Sequence, residues 1–213
     1  MGFNGAAGAS ADQTSAIQEV IQEANNFVQN QASPAPQGNT ESTWELTGDA
    51  PSGGFISYSN LSGTTALAEP ERSWVVNGQV QLLSTAEANS MIREKTAEIN
   101  EVFTGGLADR LQAGMTALVN AETSNIGALG SPGGSTVVGW EALDVSGSTA
   151  TVQCLEDEWL QVDTVTPATA SSPATVSSEM ALGENEEYVT LQQAPGGLWQ
   201  VSSLDVVPLG PTG

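Results

Sequence analysis

A chain of 213 residues with 25 acidic and four basic side chains carries a formal charge of −21. That charge repels phosphate backbones and so excludes nucleic-acid binding by electrostatics, and it equally disfavours direct docking on anionic lipid headgroups. With no histidine and a single cysteine, Cys154, Ser-His-Asp and Cys-His catalysis, His-ligated zinc, multi-cysteine metal centres and internal disulfides are all excluded as well.

Hydrophobic residues make up 39% of the chain and glycines number 23, enough for one ordinary core in a single large domain, or in one domain with an extra arm. Only 14% of residues are charged, so the acidity is not the dense carboxylate coat of a strict halophile. Near-absence of lysine beside many small polar residues points to an extracytoplasmic setting: secreted, cell surface or virion surface. No basic-then-apolar segment opens the chain and no run of apolar residues is long enough to span a bilayer. An exported form therefore implies a leader removed or replaced by Met1.

Residues 1 to 11 are small and Gly-rich, the composition of a flexible lead-in. Ile17, Val20, Ile21, Ala24, Phe27 and Val28 then recur at helical spacing, predicting a helix over about 13–31 with Ser10 or Asp12 as its cap. Its apolar stripe either packs on the domain core or docks on a partner. From about 32 to 72 the chain is rich in Pro, Gly, Ser, Thr and Asn, with TWEL and GFISYS as candidate short strands. So long a loop argues for a linker or contact arm. Asn60-Leu61-Ser62 fits the N-glycosylation acceptor pattern. In SWVVNGQVQLL, Asn77-Gly78 between alternating apolar residues predicts a two-residue hairpin.

Two helices follow. Ser84 with Glu87 forms a capping box ahead of the first, whose apolar face is Ala88, Met91, Ile92, Ile99, Val102 and Phe103, ending at Gly105-Gly106. Arg93 and Lys95 sit among Glu87, Glu94 and Glu98, where helix-surface pairing is the plain reading. The second helix, about 107–121, turns Leu107, Leu111, Met115, Leu118 and Val119 inward. After a Gly/Ser/Pro loop come alternating strands from Val137 to Val207 that carry Trp140, Trp159 and Trp199. The Ala/Thr/Ser/Pro stretch at 164–183 interrupts them.

This order of helix, helix, loop and long strands, ending on Trp-x-Val, resembles the nuclear-transport-factor-like superfamily. The carrying residues are VFTGGLADRLQAG (102–114), STATVQCL (148–155) and YVTLQQAPGGLWQVSSLDVV (188–207), which look like exported actinobacterial members of the group. The resemblance covers about 84–207. It implies an α+β domain in which a curved antiparallel sheet wraps helices as a cone, here preceded by an N-terminal helix and an extended arm. The boundaries are then 1–71 for helix and arm and 72–213 for the domain. The stretch 164–183 is longer than the family's turn and reads as a surface flap. Members include enzymes, ligand carriers and scaffolds, so the fold alone assigns no activity.

A lone carboxylate base, as in ketosteroid-isomerase-like relatives, needs an oxyanion donor. Asp109 and Asp205 are the candidates for the base and Tyr58 and Tyr188 for the donor, with solvent-facing carboxylates the simpler reading. The runs Glu156-Asp157-Glu158 and Glu184-x-Glu186-Glu187 raise a metal hypothesis but match no EF-hand spacing; they read as solvated charge, with weak calcium binding as the alternative, and no metal and no cofactor is expected. Cys154, in an alternating strand, reads as a small buried hydrophobe. Phe103, Trp140, Trp159 and Trp199 either fill the core or line an apolar pocket for a small ligand.

The composite reading is a non-enzymatic extracytoplasmic or surface-assembly protein, engaging a protein partner or further copies of itself. Ile17, Ile21 and Phe27 of the first helix, with Trp44, Phe55 and Trp74 of the arm, are the expected contacts. An apolar-ligand carrier and a virion or filament subunit are the alternatives.

Overall fold

The computed structural model of the chain describes residues 3, 5–29, 45–46, 55–57, 61–62, 75–76, 79–80, 83–124, 133–166 and 175–210. They form an α+β architecture in which helices cover one face of an antiparallel sheet. After strand β1 (Gly5–Ala7), helix α1 spans Ala11–Gln29. Its cap is reciprocal: the Gln13 N–H donates to Ser10 Oγ at 3.2 Å and the Ser10 N–H donates to Gln13 Oε1 at 3.0 Å, pairing two otherwise orphaned donors. Ile17, Ile21, Ala24 and Phe27 share its buried stripe.

Five short strands follow: β2 (Glu45–Leu46), β3 (Phe55–Ser57), β4 (Leu61–Ser62), β5 (Val75–Val76) and β6 (Gln79–Val80). Val76 pairs with Gln79, the register that a two-residue Asn77-Gly78 turn demands. Trp44, Tyr58, Asn60 and Trp74 lie outside the described residues.

Helix α2 spans Thr85–Val102 and opens on the expected capping box, with the Ser84 N–H donating to Glu87 Oε2 at 2.8 Å and the Glu87 N–H to Ser84 Oγ at 3.2 Å. Ser84→Ala is expected to cost about 1 kcal/mol, read as a lower urea midpoint at unchanged m-value. The buried face of α2 takes in Lys95 with Ala88, Ile99 and Val102. The Lys95 stem lies along this face and its Nζ sits 5.4 Å from the Phe27 ring centroid and 3.3 Å from Glu98. A long cation can thus cover apolar surface while its head keeps a partner.

Helix α3 (Gly105–Ala121) buries Met115 and Val119, but Leu118, expected inward, is 47% exposed. It sits at the edge of the stripe that Leu111, Met115 and Val119 define at four-residue spacing.

The long strands β7 (Gly133–Ser146), β8 (Thr149–Thr166), β9 (Thr175–Gln193) and β10 (Trp199–Gly210) pair antiparallel in sequence order. Gly147, with φ of 62°, turns β7 into β8 through a two-residue loop. Register shifts between Val137 and Gly139 and between Trp140 and Ala142 place bulges in β7, and another lies between Val201 and Ser203 in β10. Bulges bend and twist the strands that carry them.

The stretch 164–183 is largely strand, not flap: β8 and β9 stay paired out to Thr166 and Thr175. Alternating Thr and Val at 164–166 and 175–176 suit an extended backbone. β3 joins this extension, with Phe55 opposite Ala181, just past the point where β10 ends its pairing at Glu184.

The first 29 residues belong to the same core as the rest. β1 pairs parallel with β7, Gly5 opposite Ala142, and Phe3 packs on Trp140 with ring centroids 5.1 Å apart. Only glycine fits at position 8: its φ is 76° and a Cβ there would lie 2.4 Å from the carbonyl oxygen of Val145. The small residues expected to be flexible are small because a strand packs against β7 there. Among the described residues no helix is long and apolar enough to cross a membrane.

Candidate functional site

Strand parity generates the site. On β8, Ala150, Val152 and Cys154 face the helices and are buried. The next residue of that parity is Glu156. On β9, Leu191 and Val189 lead in the same way to Glu187 and Asn185. In register, Cys154 stands opposite Glu187 and Glu156 opposite Asn185, so four side chains make a two-by-two patch on the inner face. Ser135 of β7 adds a hydroxyl and Asn25 of α1 closes the patch from the helix side. Glu156 is 2% exposed, Glu187 1%, Asn25 2% and Ser135 4%. The acidic runs expected to be solvated charge therefore each send one carboxyl into the interior. Their neighbours Asp157 and Tyr188, of opposite parity, stay on the outer face.

Helix α1 is fastened to this part of the sheet by amides. Asn25 Nδ2 donates to Glu187 Oε2 at 2.6 Å and Gln29 Nε2 to Glu158 Oε2 at 2.7 Å. Along 135–137, beyond the reach of β1, Gln22 behaves as a surrogate strand: its Nε2 donates to the Ser135 carbonyl at 2.8 Å and its Oε1 accepts from the Val137 N–H at 3.1 Å. The buried stripe and this amide row lie side by side on the helix, and α1 is held by both.

The electrostatics follow from burial. Desolvation first, and the neighbouring Glu187 carboxylate second, push Glu156 up to about 8. The Ser135 hydroxyl, and Asn185, whose Nδ2 donates to Glu156 Oε2 at 3.4 Å, act in the opposite direction. Burial likewise raises Glu187, against its hydrogen bonds from Asn25, Glu156 and Cys154. At neutral pH the two carboxyls thus hold a proton between them. Burial and the adjacent Glu187 also drive the Cys154 thiol well above its usual range, which makes it an unreactive donor to Glu187 Oε2 at 3.5 Å. One oxygen in the patch is left over: Asn25 Oδ1 has no hydrogen-bond partner.

The residues singled out from sequence are distributed differently. Phe103, Trp140 and Trp199 are buried in one core cluster, with Phe27 edge-on to Phe103 at 5.4 Å. Trp159 is also buried but belongs to the opposite face of β8. Its indole lies over Gly134, where a Cβ would come within 2.5 Å of Nε1. The four therefore do not line a common pocket, because residue 159 has the wrong parity.

Ile17, Ile21 and Phe27, expected as partner contacts, are covered by the chain's own core. Phe55 lies in β3, paired with β9. Asp109 and Asp205 are exposed. Among the described residues, no group of three or more His, Cys, Asp or Glu side chains is placed to hold a metal ion. No protein-family model matches the chain, and no curated protein matches it.

Proposed function

We propose that this chain is a non-enzymatic extracytoplasmic binding module, a nuclear-transport-factor-like cone that serves as scaffold and engages a protein partner along the free edge of β10. The observation that carries this reading is the apolar end of that strand. Val206, Val207 and Leu209 are all exposed, and beyond Val201 no described strand pairs with β10 on its outer side. An unpaired backbone edge bearing apolar side chains is the surface that strand addition uses. A partner with a neutral or basic face suits it best, because a second copy brings another −21 to the interface.

The bulges and the helix-covered inner face support the cone. The buried, unreactive thiol and the exposed Asp109 and Asp205 favour a binding role over a catalytic one. Near-absence of lysine, with a surface of small polar residues, supports the extracytoplasmic setting.

The test is the size of the native particle, by sedimentation velocity and cross-linking in material from its natural source. The double variant Val206→Asp, Leu209→Asp should release the chain as a monomer with an unchanged far-UV circular dichroism spectrum. Each lost apolar contact should weaken association about tenfold or more. A wild-type particle that is already monomeric overturns the proposal.

A further inference from the structure

The patch around Glu156 and Glu187 has more acceptors than its donors can serve. Its oxygens are those of two carboxyls, of the Asn25 and Asn185 amides and of the Ser135 hydroxyl. Its donors are the Asn25 and Asn185 Nδ2 groups, the Cys154 thiol, the Ser135 hydroxyl and one carboxyl proton. Asn25 Oδ1, on a side chain more than nine-tenths buried, has no partner. Buried polar atoms are ordinarily satisfied, so an orphaned amide oxygen beside two carboxyls points to a ligand with positive charge. All-oxygen donor sets of this kind, with two carboxylates neutralising a divalent charge and neutral amide and hydroxyl oxygens completing the shell, suit hard cations of calcium size.

Four of the five residues stand on paired, rigid strands and the fifth on a helix held to them, so the donors are positioned by the fold and not by a loop. Access is short. Val206, the register partner of Glu187 on β10, is 44% exposed, so solvent lies one strand away.

We propose that Glu156, Glu187, Asn185, Asn25 and Ser135 form a binding site for one hard divalent cation of the calcium class. The metal would be held by the carboxylate oxygens of Glu156 and Glu187, with the amide and hydroxyl oxygens completing its shell. Glu158, further along β8 and opposite Gly183, and Glu141 near Cys154 add to the negative field.

The experiment is titration of the chelator-stripped full chain with calcium chloride at pH 8, by calorimetry and thermal melting. One equivalent should bind, as a saturable heat that chelator abolishes. The melting temperature should rise by about 5 °C at saturating metal. Magnesium, which demands a tighter octahedral shell, should shift it less.

Glu187→Gln should lower calcium affinity at least tenfold. Ser135→Ala, which deletes one neutral oxygen without altering charge, provides the second variant and should weaken binding measurably in a chain whose circular dichroism spectrum is unchanged. No heat and no thermal shift in the wild type overturns the proposal. So does an equal shift in wild type and Glu187→Gln, which assigns the effect to the acidic surface.

Discussion

Deleting residues 1–29 is expected to unfold the rest of the chain and not to liberate an intact domain. The segment contributes Ile17, Ile21, Ala24 and Phe27 to the core. Each large side chain among them is worth about 1.5–3 kcal/mol when fully buried. Three of them already amount to a sizeable share of the ~5–15 kcal/mol that holds an ordinary domain together.

The deletion removes more than these contacts. Phe3 leaves Trp140, the Gln22 amide leaves the backbone of Ser135 and Val137, and Asn25 leaves Glu187. Loss of Asn25 leaves a carboxyl pair with one buried donor fewer, a costly arrangement. The truncated chain should elute as an expanded or aggregated species, with no cooperative urea transition. The milder Phe27→Ala should retain the fold at a cost of about 3–5 kcal/mol. A compact, cooperatively unfolding chain of residues 72–213 would show that the helix is an accessory to the core after all.

The second large effect is on pH dependence. Glu156 titrates at about 8 in the folded chain against an ordinary value of 4.5, and Glu187 is raised with it. In the unfolded chain both ionise in the usual carboxyl range. Between about 4.5 and about 8 the native state therefore binds more protons than the unfolded state, and stability falls as pH rises, at up to about 1.4 kcal/mol per pH unit for one proton. The stabilisation is fully present below the ordinary carboxyl value and is lost once pH passes the folded value. Most acidic proteins lose stability as carboxylates are protonated, so here the carboxyl pair slopes the opposite way.

Urea denaturation at a series of pH values in metal-free buffer measures the effect directly. Glu156→Gln keeps a neutral group of the same shape. It should flatten the slope and make the chain more stable than wild type at pH 8. A wild-type stability that climbs steadily from pH 5 to 8 would show that the pair is ionised in the native state and compensated in some other way.

The helices were legible for reasons that act over short distances. Ser84 with Glu87, and Ser10 with the residues after it, are capping signals whose partners lie within one turn. The Ile17–Phe27 stripe needs only the period of 3.6. The two-residue turn at Asn77-Gly78 is local in the same sense.

Strand extents were less legible. Thr164–Thr166 and Thr175–Gly183 read as an interruption because Pro, Ser and Ala surround them, yet pairing between two strands overrode that composition. The carboxyl pair had a signal that went unused. Ala150, Val152, Cys154 and Glu156 form one parity, as do Leu191, Val189, Glu187 and Asn185, so each run placed a glutamate at the next core position. Parity also separates Trp159 from Trp140 and Trp199.

Composition and periodicity alone determined that this chain is strongly acidic, has no histidine chemistry, and builds an α+β domain with three amphipathic helices and a final set of long strands. Those properties are sums over residues or patterns within a few turns. Tertiary structure decided which partner each face would meet. The register between β8 and β9 set Glu156 beside Asn185 and Cys154 beside Glu187, and α1 lay across them with Asn25. The stripe of Ile17, Ile21 and Phe27 looked the same whether it was to cover the chain's own core or another protein. Contacts spanning more than a hundred residues made that choice, and no local pattern encodes them.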